Sequence, residues 1–260
     1  MPVKQITDVS RFSKRARYLL KQSKVVTRDE RTADVLERLQ AIGRVGLIGG
    51  AVRDMAFTTL RGFVSDLDFV VEVSDQKAYW KLTEEYCAVV NKFGGYRISL
   101  NGIHIDFWDA KKTWASTNGI VHVSSLEDVL NTTFFNVDAI MYVLNENQVK
   151  LKDGTLQALE GRFLDINLSP NPNPLGAAVR ALRRMCQFDM VASVALANFV
   201  AAQIDNHGWD KMVRIERQAY PASNTLQNVA AKPKNSEEFL NIMTDNNYKL
   251  PLIEQLVLQL

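Results

Sequence analysis

Two segments carry residue types and spacings that can do chemistry: Gly49-Gly50-Ala51-Val52-Arg53-Asp54 and, downstream, Asp66-Leu67-Asp68. Asp66 and Asp68 lie two apart at the head of an apolar run, 67–73, that reads as a β-strand. Their carboxylates therefore point to one side and Leu67 to the other. Two like charges on one face repel, and a divalent cation removes that cost; Mg²⁺ takes oxygen ligands from one or two carboxylates together with substrate phosphates. A pair of such ions activates an attacking oxygen and stabilises a departing pyrophosphate. Gly49 and Gly50, between a strand at 45–48 and a short helix at 51–60, leave backbone N–H groups free to approach phosphate oxygens. The helix start adds a favourable dipole.

A third carboxylate comes from Ile103-His104-Ile105-Asp106-Phe107, where alternation places Asp106 on the polar side of another strand. Singly, each signal has a bland reading: a Gly-Gly pair is usually a turn, and Asp-x-Asp is usually a solvated strand. The combination of strand, glycine turn, helix, returning strand and later carboxylate favours a metal site at Asp66, Asp68 and Asp106. His104 and His122 read as structural or nucleotide-adjacent groups rather than ligands.

The elements that must position these residues follow from the pattern. Thr27-x-x-Glu30 has capping-box spacing and opens a helix ending at Gly43. Ser74 caps a helix spanning 75–93, and Asn101-Gly102 between apolar runs at 96–100 and 103–109 is a β-hairpin signal. Ser124-x-x-Glu127 opens another short helix, and 137–144 with 148–151 form a second hairpin. The proline cluster from Ser169 to Pro174 punctuates the chain before a helical stretch at 175–199; further short helices are expected at 237–243 and 252–260. The expected organisation is a basic leader at 1–29, an α/β head at 30–168 and a helical region at 169–260.

The chain has 260 residues, 47% hydrophobic and 23% charged, enough for one to two domains with an ordinary core. No apolar run marks a signal peptide or membrane span, so no membrane insertion is expected. Cys87 and Cys186 stand far apart in apolar-patterned segments, read as reduced core thiols, and point to a cytoplasmic setting. The net charge of +2 is uneven: residues 1–31 hold nine Lys or Arg against three acidic residues, +6, leaving −4 elsewhere. Such a leader either grips a phosphate backbone or is a solvated tail.

With these motifs in place, the chain resembles the head and neck of class II tRNA nucleotidyltransferases (CCA-adding enzymes) and bacterial poly(A) polymerases over roughly residues 30–190. The resemblance implies an α/β (α+β) fold: a polymerase-β-like nucleotidyltransferase head with a mixed sheet, followed by a helical neck and C-terminal domain. It implies Mg²⁺ or Mn²⁺ on Asp66 and Asp68, with Asp106 as third carboxylate, and Gly49, Gly50, Arg53 and Asp54 around a nucleoside triphosphate. Arg53 either donates to phosphate or pairs with Asp54 as support.

Two departures bear on substrate. Where the family carries Arg-Arg-Asp-Phe-Thr-x-Asn-Ala near the sugar, this chain has Thr132-Thr133-Phe134-Phe135-Asn136-Val137-Asp138-Ala139, leaving Asp138 as the polar candidate at the nucleotide. Where the family's Glu-Asp-x-x-Arg reads the base edge, this chain has Gly176-Ala177-Ala178-Val179-Arg180, so Arg180 and Arg183 remain as base or phosphate contacts and CCA repair is not expected. A compact relative of this kind is similar to nucleotidyltransferases of bacterial anti-phage defence, such as the Hailong type, whose oligonucleotide product controls an effector protein. The acceptor is then a nucleic acid or a protein hydroxyl, with Tyr248 and Tyr220 as candidate priming residues. An inactive nucleotide-binding or nucleic-acid-binding module and a tRNA-modifying toxin are the competing readings. Without charged groups at 132–134 to read a ribose hydroxyl, discrimination against deoxynucleotides weakens. dNTPs are therefore expected as substrates, and a radiolabelled incorporation assay showing use of NTPs with rejection of every dNTP would remove that expectation.

Overall fold

The structure, a computed structural model, describes residues 9–21, 30–57, 66–91 and 93–252. The chain divides into two compact units, Met1–Glu160 and Gly161–Leu260. The first contains α1 (Val9–Lys21), α2 (Glu30–Ile42), β1 (Gly43–Ile48), α3 (Gly50–Asp54), β2 (Leu67–Val73), α4 (Gln76–Glu85), β3 (Val89–Val90), β4 (Tyr96–Leu100), β5 (Ile103–Asp109), α5 (Trp114–Thr117), β6 (Ile140–Val143), β7 (Gln148–Leu151) and α6 (Thr155–Glu160). The second contains β8 (Phe163–Leu164), α7 (Pro174–Phe188), β9 (Val191–Ala192), α8 (Val194–His207), α9 (Trp209–Ala219) and α10 (Ser236–Asp245). No described helix is long and apolar enough to cross a membrane.

The first unit is built on a seven-stranded mixed sheet of order β3-β4-β5-β2-β1-β6-β7. Only β2 and β5 run parallel. Strand alternation sorts the two faces. Leu67, Phe69, Ile105 and Phe107 are buried on one, where Tyr79 of α4 meets Phe107 edge-on at 5.7 Å and Phe107 stacks on Tyr96 at 5.8 Å. On the opposite face Val70 and Trp108 join a second cluster with Val129, Leu130, Met141 and Val143. Asp66, Asp68 and Asp106 belong by parity to that second face, beyond the edge of the cluster. α1, inside the basic leader, buries Phe12, Ala16 and Leu19 and packs against β7.

Several expected elements end elsewhere. The helix after Ser74 stops at Glu85 instead of running to 93, because Cys87 takes φ 47° and the Ala88 N–H returns to the Thr83 carbonyl at 2.8 Å. That releases Val89 and Val90 to form an edge strand. Cys87 is consequently exposed, not a core thiol, whereas Cys186 is partly buried and its pKa is pushed up to about 12 by burial and by Glu216. After Ser124 the helix is a 3-10 segment, Glu127–Thr132. It is anchored by Asp128 rather than Glu127: Asp128 accepts from the backbone and hydroxyls of Ser124 and Ser125, which hold its pKa at about 2. Glu127 pairs instead with Arg44, which also holds Glu72 and Glu146. The expected helix at 175–199 is two helices, broken where Asp189 turns left-handed. Thr27, residues 58–65 and residues 253–260 lie outside the described residues.

In the second unit α7, α8 and α9 pack together around Leu182, Leu196, Val200 and Met212. Glu216 is fully buried beneath them. It accepts from Arg183 Nη1 at 2.8 Å, from the Ser223 hydroxyl at 2.8 Å and from the Leu226 N–H at 2.9 Å. Removing a buried carboxylate strands its cation and its donors, a loss of about 3 kcal/mol or more. Urea unfolding of Glu216→Ala is therefore expected to show that loss, and a change below about 0.5 kcal/mol would mean that Glu216 is not holding the unit together.

Candidate active site

The hairpin β4–β5 places the first pair of functional side chains. Asn101 and Gly102 take φ of 46° and 81°, the doubly positive pair that a two-residue hairpin turn requires. The turn fixes Leu100 opposite Ile103 and, three residues down each strand, Arg97 opposite Asp106. The parallel pairing of β5 with β2 then sets Asp106 beside Asp68. Three charged residues thus lie in a row across β2, β5 and β4, with Asp66 just ahead of β2. On the other side of β2, Asp68 pairs with Ile48, the last residue of β1 before the glycine turn.

Arg97 organises the carboxylates. Its Nε donates to Asp106 Oδ1 at 2.8 Å and its Nη2 to Asp66 Oδ2 at 3.0 Å and to the second Asp106 oxygen. These bonds, Asp106 foremost, push the guanidinium pKa further up. Asp68 receives no such bond. Burial, reinforced by the neighbouring Asp106 and Asp66 charges, raises its pKa to about 7. Among the described residues the site therefore sets one cation, Arg97, against three carboxylates, and Asp68 is the one that it does not bond.

The glycine turn adjoins that residue. Gly49 has φ 71° and ψ −141°, and a Cβ there would lie 3.2 Å from Asp68 Oδ2. Glycine is favoured by the positive φ, and the carboxylate beside it would have to give by a few tenths of an ångström to admit a Cβ. α3 is only five residues long, shorter than the expected 51–60, so the helix dipole adds little and any phosphate contact rests on the N–H groups of the turn. Arg53, buried in α3, donates from Nε to Asp54 at 2.9 Å and from Nη1 to Asp138 at 2.7 Å. Burial opposes its charge, but Asp138 and Asp54 outweigh it and raise the pKa. Gly49, Gly50, Arg53, Asp54 and Asp138 are thus assembled within one unit, with Arg53 in the supporting role of a buried ion pair.

Arg180, Arg183, Tyr220 and Tyr248 belong to the second unit. Arg183 is engaged there by Glu216 and Ser223 and stacks over the Tyr220 ring at 3.7 Å from its centroid. Tyr248 takes φ 60°, and its carbonyl accepts from Ala192 at 2.9 Å.

A divalent cation fits the donor set in chemistry: the oxygens are hard, and two of the carboxylates are register neighbours with a third just ahead of β2. In the arrangement present, with Arg97 on Asp66 and Asp106, no group of three His, Cys, Asp or Glu among the described residues is disposed as a metal site. Arg97 is the charged residue at the site that the motif reading missed. The signal was available, because a two-residue turn at Asn101-Gly102 pairs residue 97 with residue 106.

No protein-family model matches the sequence, and no curated protein matches it. Solved structures do. The chain is similar to the Thermotoga maritima CCA-adding enzyme complexed with tRNA, at 18% identity over 92% of this chain and 53% of that one, with a TM-score of 0.55. It is similar to a CCA-adding enzyme in complex with CTP, at 17% identity over 92% and 54%, TM-score 0.54. A tRNA nucleotidyltransferase complexed with a primer tRNA and an incoming ATP analog matches at 20% identity over 81% and 60%, TM-score 0.52. The chain spans little more than half the length of these proteins. The likeness establishes the fold: a mixed α/β nucleotidyltransferase-type head followed by a helical region, as the sequence resemblance implied.

The Asp68 shift has a defined sign. A carboxyl whose folded pKa lies above its unfolded value keeps a proton in the fold that the unfolded chain has released, so stability falls as pH rises from about 4 to about 7 and then levels off. Asp68→Asn lacks this loss. In EDTA its stability advantage over the wild type is expected to grow across that window, by about 1.4 kcal/mol per pKa unit at most. An advantage independent of pH between 4 and 8 would show that Asp68 is not strained in this way.

Proposed function

We propose that this chain is a template-independent nucleotidyltransferase that uses Mg²⁺ or Mn²⁺ at Asp66, Asp68 and Asp106 to move an NMP or dNMP from a nucleoside triphosphate to a hydroxyl acceptor. The observation that carries this reading is the in-register pair Asp68 and Asp106, flanked by Asp66 and by a positive-φ glycine turn in contact with Asp68. A pure binding module has no need of clustered carboxylates that repel one another. The similar structures, complexed with CTP, an ATP analog or tRNA, support a triphosphate substrate and a nucleic-acid acceptor.

The cation supplies positive charge for the phosphate oxygens and for the acceptor oxygen. The chain's own residues do the rest. Backbone N–H groups of Gly49 and Gly50 face the departing pyrophosphate, and Arg53, clamped by Asp54 and Asp138, keeps the turn in place. Asp106 orients the acceptor hydroxyl or takes its proton. Catalysis of this type rests on positioning and charge, without a covalent intermediate.

The product read from the departures is an oligonucleotide made in anti-phage defence in the cytoplasm, controlling an effector partner, rather than a repaired CCA end. At 132–135 the segment offers no charged donor: the Thr132 and Thr133 hydroxyls bond to backbone carbonyls, and Phe134 meets Phe135 edge-on at 4.7 Å. That supports acceptance of dNTPs. Arg180 keeps its helix position without the family's acidic partner, which removes the two-residue reader of C and A. The first acceptor is a nucleic-acid end or a protein hydroxyl, with Tyr248 and Tyr220 as the candidate tyrosines.

One observation favours the second reading, a regulatory module without activity: Arg97 already neutralises Asp66 and Asp106. A single assay separates the two. Purified protein with Mg²⁺ and each labelled NTP and dNTP, with and without RNA or DNA, is expected to yield labelled product. Asp66→Ala combined with Asp68→Ala should lower incorporation at least about a thousandfold with the fold intact. Incorporation by the double variant at the wild-type rate would refute the site, and none by the wild type would favour the regulatory module.

A further inference from the structure

Between α1, α2 and the β6–β7 turn lies a cavity of about 310 Å³. Its floor is Leu20, Leu36, Tyr142 and Leu144, none of them more than 8% exposed. Its rim is polar: Arg17 and Lys21 stand on the α1 side, Glu37 and Gln40 on the α2 side, and Asn147 at the turn. The cavity belongs to the first unit and is remote from the carboxylates. The Leu144 N–H donates to the Val45 carbonyl near the start of β1, whereas Asp68 stands opposite Ile48 at its end. In volume it sits at the lower end of the range for small-molecule sites, roughly 300–1,000 Å³.

Two features set this hollow apart from a solvated helix crossing. The first is that its charges do not meet. Arg17 and Lys21 are one turn apart on α1, a helix without an acidic residue, and among the described residues neither makes an ion pair or a hydrogen bond; nor does Glu37. A cationic wall and an anionic wall thus flank an apolar floor without closing over it. The second is a pair of half-used amides. Gln40 Nε2 donates to the Leu36 carbonyl at 3.1 Å, which leaves Oε1 as an acceptor, and Asn147 Oδ1 accepts the Tyr142 hydroxyl at 3.1 Å, which leaves Nδ2 as a donor.

A ligand that satisfies all of these carries an anion at one end, a flat apolar body, and N–H donors at the other end. A nucleoside phosphate whose base bears an exocyclic amine has the three in that order. A free amino acid has its ammonium and carboxylate on one carbon and cannot span the two walls, and a fatty or aromatic acid brings no donor to Glu37. We propose that this cavity is a nucleotide site separate from the carboxylates, with the phosphate on Arg17 and Lys21, the ring over Leu36, Tyr142 and Leu144, and the amine toward Glu37 and Gln40. The base edge then also meets the Asn147 donor. Such a ligand braces α1 and α2 together, and its binding stabilises the folded chain by mass action. The assignment stands apart from the transfer reading, since it uses none of the residues placed in that chemistry.

Equilibrium dialysis with radiolabelled AMP, GMP, CMP and UMP, in EDTA, tests it. At least one of the three amine-bearing nucleotides is expected to bind one per chain, at least about tenfold tighter than UMP, because a site built around an N–H donor rejects the analogue without one. Arg17→Glu reverses a rim charge and Ala33→Trp fills the space from an exposed position on α2; each is expected to weaken binding about tenfold or more. Asp66→Ala combined with Asp68→Ala is expected to bind as the wild type does. No binding, UMP bound as tightly as the others, displacement by an equal concentration of inorganic phosphate, or unchanged affinity in both rim variants would each overturn the proposal. Loss of binding in the double aspartate variant would overturn it too, by placing the nucleotide at the carboxylates. Dialysis needs no turnover, so a chain that incorporates nothing yet binds here loses the transfer reading alone, and one that incorporates label without binding here loses this site alone.

Discussion

Three carboxylates at one end of a twisted sheet repel one another, and the strand order leaves them no room to separate. β2 and β5 pair in parallel register, so Asp68 and Asp106 are held side by side by backbone hydrogen bonds that neither side chain can alter. The repulsion is partly offset by Arg97, delivered from the next strand by a hairpin whose register is pinned at Asn101-Gly102. Asp68, which Arg97 does not bond, holds its proton near neutrality because it is buried and, second, because the Asp106 and Asp66 charges stand beside it. The glycine turn and a cavity at the β3 edge both adjoin that side chain.

This buried carboxyl connects stability to function. Functional sites commonly keep groups whose charges destabilise the resting fold, because the same charges do work once a ligand of opposite sign arrives. In this molecule the strain is concentrated on one side chain rather than shared, since Arg97 reaches both neighbours of Asp68 but makes no bond to it. The rest of the unit is correspondingly conservative: an aromatic cluster of Tyr79, Tyr96 and Phe107 backs β5, and Arg44 ties together Glu72, Glu127 and Glu146 at the opposite end of β1.

Much of this was legible in the residues. The strand at 67–73, the Asn101-Gly102 hairpin and the 148–151 strand follow from alternation and turn chemistry, and the carboxylate spacing follows from strand parity. Element ends were less legible, because they depend on single residues entering the left-handed region, as at Cys87 and Asp189, for which no glycine gave warning. The Ser124 motif misled for a different reason: two acidic residues stand within reach of the serines, and the serines captured Asp128 while Arg44, far off in sequence, took Glu127. Arg97 was hidden by type rather than by position, since an arginine on a strand is ordinarily a solvated side chain and only the pairing register reveals what it faces.

The two-residue length of β3 has a consequence for how copies of this molecule meet. A long, flat, apolar edge invites another sheet to zip onto it, and Val89 and Val90 would be suitable residues for such a template. Two residues offer too few backbone groups to register a foreign strand, so the border stays greasy without becoming sticky. The brevity of β3 therefore blunts this border of the sheet against pairing with a strand from another molecule.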